Sequence, residues 1–99
     1  MCVSIAAANK KALSVQISSA FLLEDALKID DALAVMEPGA DVDIDFHHAR
    51  ECHGAALARL AEAMRSGRTH VAVRGMSDHH WRLLGYLGVP SAARLGEST

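Results

Sequence analysis

Within residues 41–60, DVDIDFHHARECHGAALARL, the hydrophobic pattern changes period. Val42, Ile44 and Phe46 alternate strictly with Asp41, Asp43 and Asp45, which is the repeat of a half-buried strand. A short polar loop is expected next, over 47–53, and then Ala56, Leu57, Leu60 and Met64 recur at helical spacing. A strand feeding a helix restricts the chain to α/β arrangements. The seam also concentrates reactive side chains, with His47, His48, Cys52 and His53 inside seven residues. It is the first candidate for a working surface.

The flanking segments extend this reading. Val3 and Ile5, then Leu13, Val15 and Ile17, predict two short strands joined at Asn9-Lys10-Lys11, an antiparallel pair. From Ser18-Ser19 the pattern turns helical, with Leu22, Ala26, Ile29, Leu33 and Met36 forming a stripe that Leu23 and Leu27 widen. Pro38-Gly39 ends it. The second helix is expected from His53 or Gly54 to Arg65, closed by a left-handed Gly67. Residues 69–74 form another strand. Ser77 caps a third helix through Leu87, and Gly88 and Pro90 stop it. Ser91 to Leu95 adds a short edge strand or helical turn, and 96–99 is expected to be a flexible tail, leaving one domain over 1–95.

Alternation within the strands carries a further consequence. Strands covered on both faces are apolar throughout, whereas these have one polar face each. The helices should therefore pack mainly on one side, and on the open side Asp43 or Asp45 should lie near Arg74 or His70. The strand–helix–strand unit 41–74 requires a parallel pair. The predicted class is α/β, a small mixed sheet of four to five strands with about three main helices.

Composition narrows the function. The chain has 99 residues, 51% of them hydrophobic, and a formal charge of −2. That supports a single globular domain and gives no argument for nucleic acid. Neither a signal peptide nor an apolar run of the roughly 20 residues that span a bilayer is present. A cytoplasmic location without membrane insertion is expected. Cys2 and Cys52 match no zinc motif, His47 and His48 point apart on a continuing strand, and His79-His80 lack the four-residue spacing of a shared metal site. No phosphate-binding glycine motif occurs, and Cys52–His53, being sequence neighbours, do not make a nucleophile–base pair. The residues imply no enzyme, metal or cofactor.

Three stretches together resemble the STAS domain, the sulphate-transporter and anti-sigma-factor-antagonist module. They are VDIDFHHARECHGAALARLA, THVAVRGMS and HHWRLLGYLGV, in that order. The resemblance implies a small mixed sheet with helices chiefly on one face, in a divergent bacterial member that is free-standing or part of a larger protein. In regulatory members an Asp-Ser-Ser/Thr-Gly-like segment opens the second helix. A kinase-type anti-sigma factor phosphorylates its second hydroxyl residue, and the added charge weakens the complex. Matching Glu51 to the acid and Gly54 to the glycine places Cys52 and His53 at the hydroxyls, with His53 at the phosphorylated position. Sliding by two places Gly54 and Ala55 there instead and loses both the acid and the glycine. Neither register supplies a serine or threonine. The resemblance thus implies a non-catalytic protein-interaction module for signalling or transcription control. Its docking segment is 47–57, carried by His47, His48, Glu51, Cys52, His53, Gly54 and Ala55, and it lacks the usual switch. The alternatives are a small-ligand or metal-responsive sensor using the same histidine–cysteine segment, or a subunit of a lipid-transport complex.

Overall fold

The structure, a computed structural model, describes residues 3–90 and 93–95. Its elements run β1 (Val3–Asn9), β2 (Ala12–Phe21), α1 (Leu23–Ala34), β3 (Asp41–Cys52), α2 (Gly54–Ser66), β4 (His70–Arg74), α3 (Asp78–Tyr86) and β5 (Arg94–Leu95). The five strands form one mixed sheet in the order β1-β2-β3-β4-β5. β1 and β2 are antiparallel, and every later neighbour pair is parallel. The α/β class, the hairpin and the parallel 41–74 unit agree with the sequence reading.

One-sided packing is visible in the burial pattern. Leu13, Val15, Ile17, Val42, Ile44, Phe46, Val71 and Val73 are buried. Ser14, Gln16 and Ser18 on the opposite face are exposed, and Asp43, Asp45, Ala72 and Arg74 are half-covered. Ala26, Ile29 and Leu33 of α1, Ala56, Leu57, Leu60 and Met64 of α2, and Leu84 of α3 complete the core. On the open face Arg74 makes a two-pronged contact to Asp43, Nε donating at 3.0 Å and Nη2 at 2.6 Å. Asp45 stands directly opposite Arg74, but its carboxylate is bonded to His47, and the long Arg74 side chain reaches Asp43 one pair further.

Two boundaries differ from the sequence reading. The polar loop expected at 47–53 is strand as far as Cys52. β2 also runs on to Phe21, so the first helix starts at Leu23 rather than near Ser18. The two extensions pair with each other: Ser18 with His48, Ser19 with Ala49, Ala20 with Glu51 and Phe21 with Cys52. Register shifts between Gln16 and Ser18 and between Ser19 and Ala20 place extra residues in β3. Such bulges break the two-residue repeat that sequence inspection depends on. Ser19, at φ 66°, adopts the left-handed conformation there.

The helix ends are set by specific contacts. The buried Asp25 carboxylate accepts the Leu22 N–H at 2.9 Å and closes the start of α1. Arg68 donates to the carbonyls of Leu33 and Met36 at 2.7 Å each, tying the end of α1 and the turn after it to the segment leading into β4. Gly67 at φ 72° ends α2, and Ser77 Oγ accepts from the His80 N–H at 3.3 Å to cap α3, both as expected. Met36 is buried beyond the helix rather than within it. Leu23 and Leu27, expected to widen the core stripe, stay 45% and 41% exposed. Of the 91–95 segment, Arg94–Leu95 forms the short edge strand. Cys2, Ser91 and the expected tail 96–99 lie outside the described residues. No helix among the described residues is long and apolar enough to cross a membrane.

Candidate functional site

The distal half of β3 runs directly into the first turn of α2. Its foundation is apolar: Phe46 packs edge-on against Phe21, ring centroids 5.3 Å apart, and both rings are buried. Above them His47, His48, Arg50, Glu51, His53, Gly54 and Ala55 are exposed, and Cys52 is half-buried. The His53 N–H donates to the Phe21 carbonyl at 2.9 Å, and its own carbonyl accepts from Leu57 at 3.0 Å. His53 is thus the residue at which strand pairing hands over to helix. Its extended backbone (φ −78°, ψ 143°) is that of an N-cap, but its imidazole makes no capping bond.

The side chains of this segment differ in their partners and burial. His47 Nδ1 lies 2.6 Å from Asp45 Oδ1, and the His47 N–H donates to the same oxygen at 2.8 Å. Burial pushes the Asp45 carboxyl up, but the backbone and ring hydrogen bonds from His47, with the charges of His47 and His48, outweigh it and leave it below its ordinary value. His53 Nε2 is 4.0 Å from Glu51 Oε1 on an open surface, a contact of little energetic weight. Burial, reinforced by the neighbouring Glu51 charge, pushes the Cys52 thiol up to about 11. Beside it a cleft of about 150 Å³ runs between Phe46, Cys52, Gly75, Met76 and His80. Burial, and then the His79 charge, lower the His80 pKa.

These states limit the chemistry. A thiol titrating near 11 is protonated at neutral pH and is not a ready nucleophile. Against an ordinary value of 9.0, the two-unit rise cuts the thiolate fraction about 100-fold. The more basic thiolate is the better nucleophile and recovers part of that loss, so in a Cys2→Ser background Cys52 is expected to react with a disulfide reagent at pH 8 roughly tenfold more slowly than an unhindered thiol. A rate equal to that of free cysteine would contradict this environment. Among the described residues, no three His, Cys, Asp or Glu side chains converge to hold a metal ion. A larger cavity, about 730 Å³, lies at the opposite end of β3 between Leu13, Val42, Met64, Thr69 and Val71.

The predicted residues thus lie on a strand end and a helix start instead of a loop. Two features were not anticipated. Gly75, at φ 74°, sits directly against His47: a Cβ there would stand 2.6 Å from the imidazole and 2.7 Å from the backbone nitrogen. An Arg-Gly pair ending a strand signals a turn but not which neighbour it admits. The other is the exposed α1 flank beside α2. Arg59 Nε donates to Asp30 Oδ2 at 2.5 Å and ties α1 to α2, and exposed Leu27 stands one turn before Asp30 on α1. Helical spacing reveals the stripe but not that its edge remains uncovered.

The topology, one-sided helices and strand-to-helix seam define a STAS-like fold. A comparison with solved structures finds similarity to the anti-sigma factor antagonist SpoIIAA in its unphosphorylated form. The TM-score is 0.66, with 9% sequence identity, over 97% of this chain and 89% of the other. No protein-family model matches the chain. No curated protein matches it in sequence.

Proposed function

We propose that the protein is a non-catalytic interaction module of the anti-sigma-factor-antagonist type, which docks a regulatory protein through residues 47–57. The observation that supports this reading is the exposed run from His47 to Ala55, which is mounted on the buried Phe21–Phe46 pair and ends at the first turn of α2. A rigid base under exposed side chains pre-organises a surface and lowers the ordering penalty of binding. Exposed Leu23 and Leu27 extend that surface with apolar area. A kinase-type anti-sigma factor is the class of partner that the fold similarity suggests.

The surface carries no hydroxyl where a phosphorylated serine or threonine would stand, since residues 51–55 read Glu-Cys-His-Gly-Ala. The module binds constitutively, as an antagonist or scaffold subunit, with its affinity not gated by phosphate. Incubation with a partner kinase and ATP is expected to leave residues 47–57 unmodified. Mass spectrometry under neutral handling, which preserves phosphohistidine, is the check, and phosphate on His53 would overturn the switchless reading. His53→Glu places a carboxylate where the partner sits. Its side chain is 54% exposed, so folding stability should move by no more than about 0.5 kcal/mol. Affinity for the captured partner should fall about tenfold or more, because a charge forced into an interface without a counter-charge is left desolvated and unpaired. Unchanged affinity would remove this surface from the account.

A further inference from the structure

The two edges of the sheet are not alike. Among the described residues β5 is two residues long, a length that offers an incoming strand almost nothing to pair with. β1 is seven residues, VSIAAAN, with no charged residue and no proline. Among the described residues, no strand lies on its outer side. Edge strands in monomeric proteins are usually blunted by charge, proline, brevity or a bulge. Here the only such device is a register shift between Ala7 and Asn9, which leaves Val3 to Ala7 regular. Ile5 sits opposite the fully buried Val15 and so faces the helix side, yet it remains 38% exposed. It is a core-facing residue with half its cover missing.

We propose that β1 pairs antiparallel with β1 of a second copy, joining two sheets across a two-fold axis at Ile5. The sequence of the edge is self-complementary in that register. Ile5 meets Ile5, Val3 meets Ala7, and Ser4 meets Ala6, so the core-facing set Val3, Ile5 and Ala7 stays on the helix side of both copies. Small residues on the other face let the backbones approach without obstruction. An isologous contact needs a patch that tolerates itself, and an uncharged strand does so where a charged one repels its copy. The overhanging flank carries both signs of charge. α1 packs against β1, and the side of it turned away from Asp30 and α2 carries Lys28 with Glu24 and Asp31. Two copies of that flank meet with both signs present. This surface is separate from the 47–57 segment, so one dimer presents two docking sites.

Sedimentation equilibrium over a concentration series tests the proposal with the 99-residue chain. The expected result is a reversible doubling of the 10.5 kDa mass. Ile5→Lys puts two like charges face to face on the axis and should weaken dimerisation by about tenfold or more. Gln16→Lys, on the open face of β2, should leave it unchanged. Ile5→Cys in a Cys2→Ser, Cys52→Ser background checks the geometry independently, because opposed residues of antiparallel strands lie at disulfide-compatible separation. Mild oxidation should then give a covalent dimer at protein concentrations where the Cys2→Ser, Cys52→Ser parent gives none. A chain that stays monomeric throughout overturns the proposal. So does an Ile5→Lys dimer of unchanged affinity, and if that variant fails to fold, absence of the Ile5→Cys cross-link overturns it.

Discussion

Replacing Phe46 by alanine is expected to lower the free energy of unfolding by about 3–5 kcal/mol. Phe46 is 2% exposed and its ring stands edge-on to Phe21, which is fully buried. The substitution removes the transfer energy of the ring, leaves a cavity that the surrounding strands close only in part, and ends an aromatic contact worth about 1 kcal/mol. Domains of this size have roughly 5–15 kcal/mol in total, so the variant should sit close to unfolding at ambient temperature. Urea titration followed by circular dichroism measures the loss. Position makes the result informative for function. The pair lies at the strand end that carries the exposed histidines, so partner binding should weaken together with stability. Phe46→Leu, which keeps most of the volume, should retain most of both. A loss below about 1 kcal/mol for the alanine variant would mean that the pair does not anchor this end of the sheet.

Gly75→Ala is the second large effect, with an expected loss of about 2–4 kcal/mol. Two causes add. At φ 74° an L-residue is strained, and the new methyl would meet both the His47 ring and its backbone nitrogen at 2.6–2.7 Å. The ring can rotate away. The backbone nitrogen cannot, because β3 is paired on both sides up to Asp45 and the His47 N–H is bonded to the Asp45 carboxylate. Gly67→Ala separates the two causes. Its φ is 72° but nothing lies within 4 Å of the added carbon, so it should lose only the strain, about 1–2 kcal/mol. Equal losses for the two variants would show that the close approach between Gly75 and β3 contributes nothing.

What the sequence made legible divides by physical cause. Val42, Ile44 and Phe46 announce their strand because one face is buried and the other is wet, and Leu13, Val15 and Ile17 do the same. Helix stops at Gly67 and Gly88 were legible because a left-handed residue has few chemical solutions. Strand parity put Asp43 or Asp45 near Arg74 or His70, and the contact that forms is Arg74 with Asp43. The continuation of β3 through Cys52 was not legible. Past Phe46 the strand is bulged, its side chains are mostly solvated, and its partner is the tail of β2, a segment whose own pattern suggested helix. Pairing energy there comes from backbone bonds, which leave no hydrophobic period. Leu23 and Leu27 mislead for the opposite reason: helical spacing places them beside the core stripe but does not say how far the neighbouring helix reaches. The candidate segment was singled out by its residue types, while its form as a strand end beside an aromatic pair required coordinates.

Hydrogen–deuterium exchange of the chain, alone and saturated with a protein partner captured from its native host, tests the central claim most directly. Amides of residues 47–57 should slow on complex formation, most strongly at Gly54, Ala55 and Ala56, whose N–H groups open α2. The open face of β2, from Ser14 to Ser18, should exchange at the same rate in both states. Protection confined to that face or to the 730 Å³ cavity between Leu13 and Val71, with 47–57 unchanged, would contradict the account.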